Sequence, residues 1–116
     1  MSHNTGDMQI DLEKSDWGTL VRPHGFIDLS RSPILRSALA EVHRERPARV
    51  IVDLSQVDYM DSSGVATFVE SLQIARSSNI RLVLCRMQER VRSIFEIARL
   101  DMVFTICDDL DQAMTA

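Results

Sequence analysis

The sequence predicts one α/β domain, a mixed and mostly parallel sheet with helices packed against it, in the order ββαβαβαβα. Three observations carry this. Two runs, "RVIVDL" (Arg49 to Leu54) and "IRLVLC" (Ile80 to Cys85), are apolar on consecutive positions, so both of their faces are buried, as in the middle of a parallel sheet. Three other segments place apolar residues at i, i+3, i+4 and i+7, the stripe of a helix lying on a core. Strands and helices then alternate, which implies right-handed crossovers between parallel strands.

The elements follow in order. "MQIDLEKS" (Met8 to Ser15) alternates Met8, Ile10 and Leu12 with polar residues, the pattern of a half-exposed strand. "WGTLVRPHG" (Trp17 to Gly25) reads as a second strand, joined to the first by a short "DW" hairpin junction. Pro23 places the end of that strand, or a sheet edge, near it. In "SPILRSALAEVHRER" Ser32 is the expected cap and Pro33 the first-turn proline. Leu35, Ala38, Leu39 and Val42 form the stripe, and Pro47 ends the helix.

A second helix is expected over about Ser63 to Ser78, with Val65, Phe68, Val69 and Leu72 facing inward, Ala75 continuing the stripe and Asn79 closing it. After "IRLVLC", the segment "QERVRSIFEIARL" repeats the stripe with Val91, Ile94, Phe95 and Ala98. "VFTI" is a short strand and "LDQAMTA" a short last helix. Each inward side chain contributes about 1.5–3 kcal/mol on full burial. Packing therefore holds the helices, and the residues opening the second one are free for another task.

Composition narrows the function. The chain has 116 residues, 45% of them apolar and 26% charged, which suits one soluble domain with a sizeable core. No apolar run is long enough to span a bilayer, and the polar "MSHNTGDMQI" start lacks the layout of a secretory signal. The expected location is the cytoplasm, with no membrane attachment. The net charge of −4, and arginines interleaved with acids as in "QERVRSIFEIAR", argue against direct nucleic-acid binding. Cys85 and Cys107 lack CxxC spacing and read as buried thiols in a reducing compartment. His3, His24 and His43 show no ligand spacing, so no metal is expected. No cofactor motif is present: GxSxG and GxxxxGK[ST] are both absent.

The most informative stretch is "VDYMDSSGVATFVESL" (Val57 to Leu72). It follows the most buried predicted strand, in a loop from Asp53 to Ser63. In open α/β sheets such loops meet ligands and partners. Helix N-termini carry unpaired N–H groups and favour anions, so a phosphoryl group on Ser62 or Ser63 would be tolerated there. It would set a dianion beside Asp58 and Asp61. Gly64 either lets a partner approach the serines or is merely tolerated in a first turn. Catalytic readings are weaker. A nucleophilic Ser62 needs a base, and His24 is the one candidate. Asp53, Asp58 and Asp61 suggest a magnesium or phosphoacceptor cluster, yet the lysine and acidic pair that would accompany it are missing.

These residues resemble the signature of STAS domains, and most of all the bacterial anti-sigma factor antagonists. The matching positions are Asp53, Leu54, Ser55, Val57, Asp58, Tyr59, Met60, Asp61, Ser62, Ser63 and Gly64, preceded by Gly25, Phe26, Ile27 and Asp28. The resemblance implies the STAS fold, one domain over residues 1–116 with its core at about 8–114, and no enzymatic activity. It implies a phosphoacceptor at Ser62 and a partner surface shaped by Asp28, Asp58, Asp61, Ser62, Ser63 and Gly64. It implies, as partners, an anti-sigma factor that is a serine kinase of the histidine-kinase-like ATPase type, and a PP2C-type phosphatase. Phe26, where the family often has a polar residue, and the absence of a second glycine after Gly64 depart from the pattern. STAS domains also serve as scaffold subunits of stress-signalling complexes and accessory subunits of lipid-transport ATPases, which is the alternative.

Overall fold

A computed structural model describes residues 2–5 and 8–116. The described residues form two sheets. The larger has the order β1-β2-β3-β5-β7-β8, where β1 is Ser2–Thr5, β2 Met8–Ser15, β3 Gly18–Pro23, β5 Arg49–Asp53, β7 Arg81–Cys85 and β8 Thr105–Cys107. The first three strands run antiparallel to one another, and β3, β5, β7 and β8 run parallel. The smaller sheet pairs β4 (Gly25–Ile27) with β6 (Val57–Met60), also in parallel.

The helices are α1 (Ser32–Arg44), α2 (Ser62–Ser77), α3 (Glu89–Ile97) and α4 (Leu110–Thr115). The period of two in β5 shows why the sheet needs cover on both sides. Val50 and Val52 join Leu35, Leu39, Phe68, Val91 and Phe95 in the larger core. Ile51, between them, joins Leu20, Val83, Cys85 and Ala113 of α4 in a smaller core on the other face. The two apolar runs are thus central strands, as predicted, and every predicted element is present.

The differences have physical causes. β1, β4 and β6 are additional strands: β1 lies in the polar start, and the predicted loop from Asp53 to Ser63 contains β6. The β4–β6 register slips between Gly25 and Phe26, so that Gly25 pairs with Val57 and Phe26 with Tyr59. Asp58 is left as the extra residue of a bulge. Asp58 and Tyr59 are consequently both exposed, and the alternation that marks a strand is lost. Ser32 is not the cap of α1 but its first residue; the cap position is Arg31. Asp28 does the work instead, its carboxylate accepting the Arg31 N–H (3.1 Å) and its carbonyl the Ser32 N–H (2.8 Å). Pro23 ends β3, which lies inside the sheet between β2 and β5.

In α2 the buried face is Gly64, Thr67, Phe68, Ser71 and Ala75, while Val65, Val69 and Leu72 are half-buried. Thr67 and Ser71 enter the interior because each has a partner. The Thr67 hydroxyl donates to the Ser63 carbonyl (2.9 Å), and Ser71 Oγ is hydrogen-bonded to His43 Nε2 of α1 (2.7 Å). Asn79 closes α2 with a left-handed φ of 57°, the conformation that suits asparagine after a helix.

Candidate functional site

The β4–β6 ladder delivers two chain segments side by side. Ile27 pairs with Met60, and the Asp61 N–H donates to the Ile27 carbonyl (3.1 Å). The turn from Asp28 to Arg31 therefore runs beside the start of α2. Asp61 is the N-cap, in extended backbone conformation. Its Oδ1 accepts the Ser63 N–H at 2.9 Å and the Ser63 hydroxyl at 2.5 Å. The Ser63 hydroxyl, followed by the N–H groups of Ser63, Gly64 and Leu29, holds the Asp61 carboxyl below its ordinary range. Stabilising the charged form in this way lowers a pKa.

The two serines are thereby distinguished. Ser63 is half-buried and its hydroxyl is engaged. Ser62, at the first helical position, is exposed, and no hydrogen bond to its hydroxyl is found among the described residues. Asp28 is half-buried. It accepts from the Ser30 hydroxyl (2.8 Å), and its other oxygen pairs with the Arg31 guanidinium (2.7 Å). The Ser30 hydroxyl, with the Arg31 N–H and charge, holds its carboxyl below the usual range. Asp58 is exposed on the bulge, with the Gln88 amide 3.4 Å away. Gln88, the cap residue of α3, also donates to the Ser55 carbonyl (3.0 Å) and so ties α3 to this loop.

Gly64 does not open a path to the serines. It is buried, and a Cβ there would stand 2.5 Å from Met60 Cγ and 2.8 Å from Ile27 Cγ2. Its missing side chain lets α2 settle on the β4–β6 ladder.

The three-carboxylate reading also dissolves. Asp53 is fully buried, bonded to Arg22 Nε (2.8 Å), Arg86 Nη1 (3.3 Å) and the Ser55 N–H (3.0 Å). Burial alone would raise its pKa, but the Ser55 N–H and Arg22 outweigh it and the net shift is downward. It supports the start of the loop rather than sharing a site with Asp58 and Asp61. His24, the candidate base, is hydrogen-bonded to Asp11 (2.7 Å).

Sequence reading noted Phe26 as a departure from the family pattern and did not join it with Leu29 and Tyr59 as an apolar rim. Phe26, Leu29 and Tyr59 are 50%, 76% and 44% exposed. Phe26 and Tyr59 are register partners whose rings meet edge to face, centroids 5.9 Å apart. Leu29 lies in the turn whose N–H reaches Asp61. The available signal was three large apolar residues within two short polar loops. Clefts of about 520 and 420 Å³ lie elsewhere, between β2 and α1, with Leu12 and Glu41 lining both.

A mixed sheet with an apolar core on each face, and an exposed serine at the capped start of α2, define a small α/β domain whose candidate site lies on the surface. The family model described as the STAS domain matches residues 9–113, and the chain belongs to that family. The anti-sigma-B factor antagonist of Listeria monocytogenes is 35% identical over 83 residues, covering 71% of this chain and 72% of the relative. The crystal structure of an anti-sigma factor antagonist from Mycobacterium paratuberculosis superposes with a TM-score of 0.82 at 24% identity, covering 94% of this chain and 92% of that one. The Bacillus cell fate determinant SpoIIAA in its phosphorylated form gives a TM-score of 0.70 at 18% identity over 89% of this chain and 93% of that one. These two structural likenesses speak to the fold. No helix of the described residues is long and apolar enough to cross a membrane.

Proposed function

We propose that this chain is an anti-sigma factor antagonist whose docking is switched by phosphorylation of Ser62. Unmodified, it binds an anti-sigma factor through Ser62, Ser63, Asp28, Asp58, Asp61 and the apolar rim, and a sigma factor is released. The partner is itself a serine kinase of the histidine-kinase-like ATPase type. It transfers a phosphoryl group to Ser62 and loses its hold, and a PP2C-type phosphatase restores the hydroxyl. Relatives named as anti-sigma factor antagonists support the general role, and SpoIIAA, solved in a phosphorylated form, is a fold neighbour in which the modification exists.

The observation that carries the reading is the contrast between the two hydroxyls. Ser62 is exposed, with no partner for its hydroxyl among the described residues, while Ser63 is spent on the cap. A phosphoryl group adds about −1.5 to −2 charges. At a first helical position the N-terminal end of the dipole tolerates that charge, so the domain stays folded. The cost falls on the complex. The dianion would have to be desolvated against Phe26, Leu29 and Tyr59 and brought near the carboxylates of Asp58 and Asp61, and buried charge without a partner is expensive.

The test is intact-protein mass after incubation with the cognate kinase and ATP, with partner affinity measured in parallel. One phosphate is expected on the wild-type chain and none on Ser62→Ala, which keeps its affinity. Ser62→Asp is expected to bind about tenfold more weakly or worse. A phosphate retained on Ser62→Ala would sink the assignment.

A further inference from the structure

Cys85 and Cys107 lie on the α4 side of the sheet and are no part of the start of α2. They are direct register partners on the adjacent parallel strands β7 and β8. Both side chains face α4: Cys85 belongs to the core cluster of that face, and Cys107 packs against it. Neighbouring strands lie about 4.8 Å apart, inside the roughly 4.4–6.8 Å Cα separation that a disulfide spans. The pairing is held at the backbone, where the Arg86 N–H donates to the Cys107 carbonyl (3.2 Å). Side chains directly opposite on parallel strands leave their Cβ atoms a little wider than a relaxed disulfide prefers. β8 is able to supply that adjustment, being three residues long and at the end of the sheet order.

We propose that Cys85 and Cys107 form a reversible intramolecular disulfide when the chain meets hydrogen peroxide, making the β7–β8 pair a redox-sensitive site. Both cysteines are free thiols in the structure; Cys85 is buried and Cys107 half-exposed, which sets the order of events. The Cys107 sulfur gives up its proton and attacks the peroxide. An S–O bond forms, the O–O bond breaks, and the departing hydroxide takes a proton and leaves as water. The Cys85 sulfur then attacks the Cys107 sulfenic acid. The S–S bond forms, the S–O bond breaks, and the Cys85 proton leaves with the hydroxyl as a second water. Two thiols are oxidised and one peroxide is reduced.

Burial pushes the Cys85 thiol up to about 12, and burial with Asp109 and Asp108 also raises Cys107. The thiolate is the attacking species, so the reaction is slow at neutral pH and quickens as pH rises. A bond formed with some strain is readily reduced again.

The experiment treats the folded, full chain with increasing hydrogen peroxide, quenches, unfolds, alkylates and measures intact mass and linked peptides. The expected product is a monomer lighter by two hydrogens, without alkyl groups, holding a Cys85–Cys107 cross-link that dithiothreitol removes. Cys107→Ser is expected to lose this product, and Cys85→Ala to stop at a Cys107 sulfenic acid trapped by dimedone. The linked-peptide readout uses the unsubstituted chain and does not depend on either variant folding. Two thiols intact at every dose, a dimer joined through Cys107, or oxygen gained irreversibly at either sulfur without a cross-link would overturn the proposal.

Discussion

Asp61 gathers both the N–H (2.9 Å) and the hydroxyl of Ser63 onto a single carboxylate oxygen. One acceptor thus satisfies a helix-start donor and occupies the neighbouring serine, and Ser62 is the hydroxyl left facing outward. The same arrangement explains why the segment carries two serines: one builds the cap and the other is available.

Ser63→Ala is therefore expected to keep phosphate transfer to Ser62 while lowering stability by about 0.5–1.5 kcal/mol, the net worth of one hydrogen bond. Urea unfolding and phosphopeptide mapping of the same preparation check both halves. Loss of the modification with an intact fold would give Ser63 a share in the reaction itself.

Gly64→Ala tests how α2 is seated. The added methyl meets Met60 Cγ and Ile27 Cγ2 at less than 3 Å, and overpacking of this kind costs about 1–3 kcal/mol. Alanine returns about 0.5–1 kcal/mol through helix propensity. A net loss of about 1–2 kcal/mol is expected in chemical denaturation. A stabilised variant would mean that the ladder yields easily.

Asp53→Asn removes the charge that faces Arg22 and Arg86. Their side chains are 23% and 42% exposed, so water partly replaces the lost partner. About 2 kcal/mol is expected at neutral pH, less than the 3–5 kcal/mol for a fully enclosed pair. The folded carboxyl titrates below its ordinary value. Its contribution is complete above the unfolded pKa near 3.9 and disappears as pH falls through the folded one. Unfolding measured from pH 7 downward should show a shallower acid limb in the variant.

His43 titrates in a different window. Burial lowers its pKa from the ordinary 6.5, and Nδ1 has no partner among the described residues. The unfolded chain takes up that proton first, so stability falls as pH drops through about 6.5 and continues to fall until the folded form is protonated. His43→Gln keeps a hydrogen-bonding partner for Ser71 and does not titrate. It should flatten the stability profile below about pH 6.5 while leaving the carboxylate-dependent loss at lower pH. Identical profiles would show that the α1–α2 seam admits the proton without cost.

Much of this was legible in the residues alone. Val50, Ile51 and Val52 declare a strand covered on both sides, and the spacing of Leu35, Leu39 and Val42 declares a helix lying on it, because each pattern records how often one chain segment meets the core. The Asp-Ser-Ser-Gly start of α2 is equally local: the cap Asp61, its donor Ser63 and the exposed hydroxyl of Ser62 lie within four residues. Three features were decided only by the tertiary structure. Phe26 meets Tyr59 because two short strands pair across a bulge at Asp58, and that bulge erases the alternation that would have announced them. Gly64 faces inward because Ile27 and Met60 arrive beneath it from separate strands. Cys85 faces Cys107 because a parallel register brings together positions far apart in the chain. Periodicity reports whether a residue is covered, but partner and register come from elements distant in sequence, and a one-residue slip would change every such neighbour while leaving the local pattern intact.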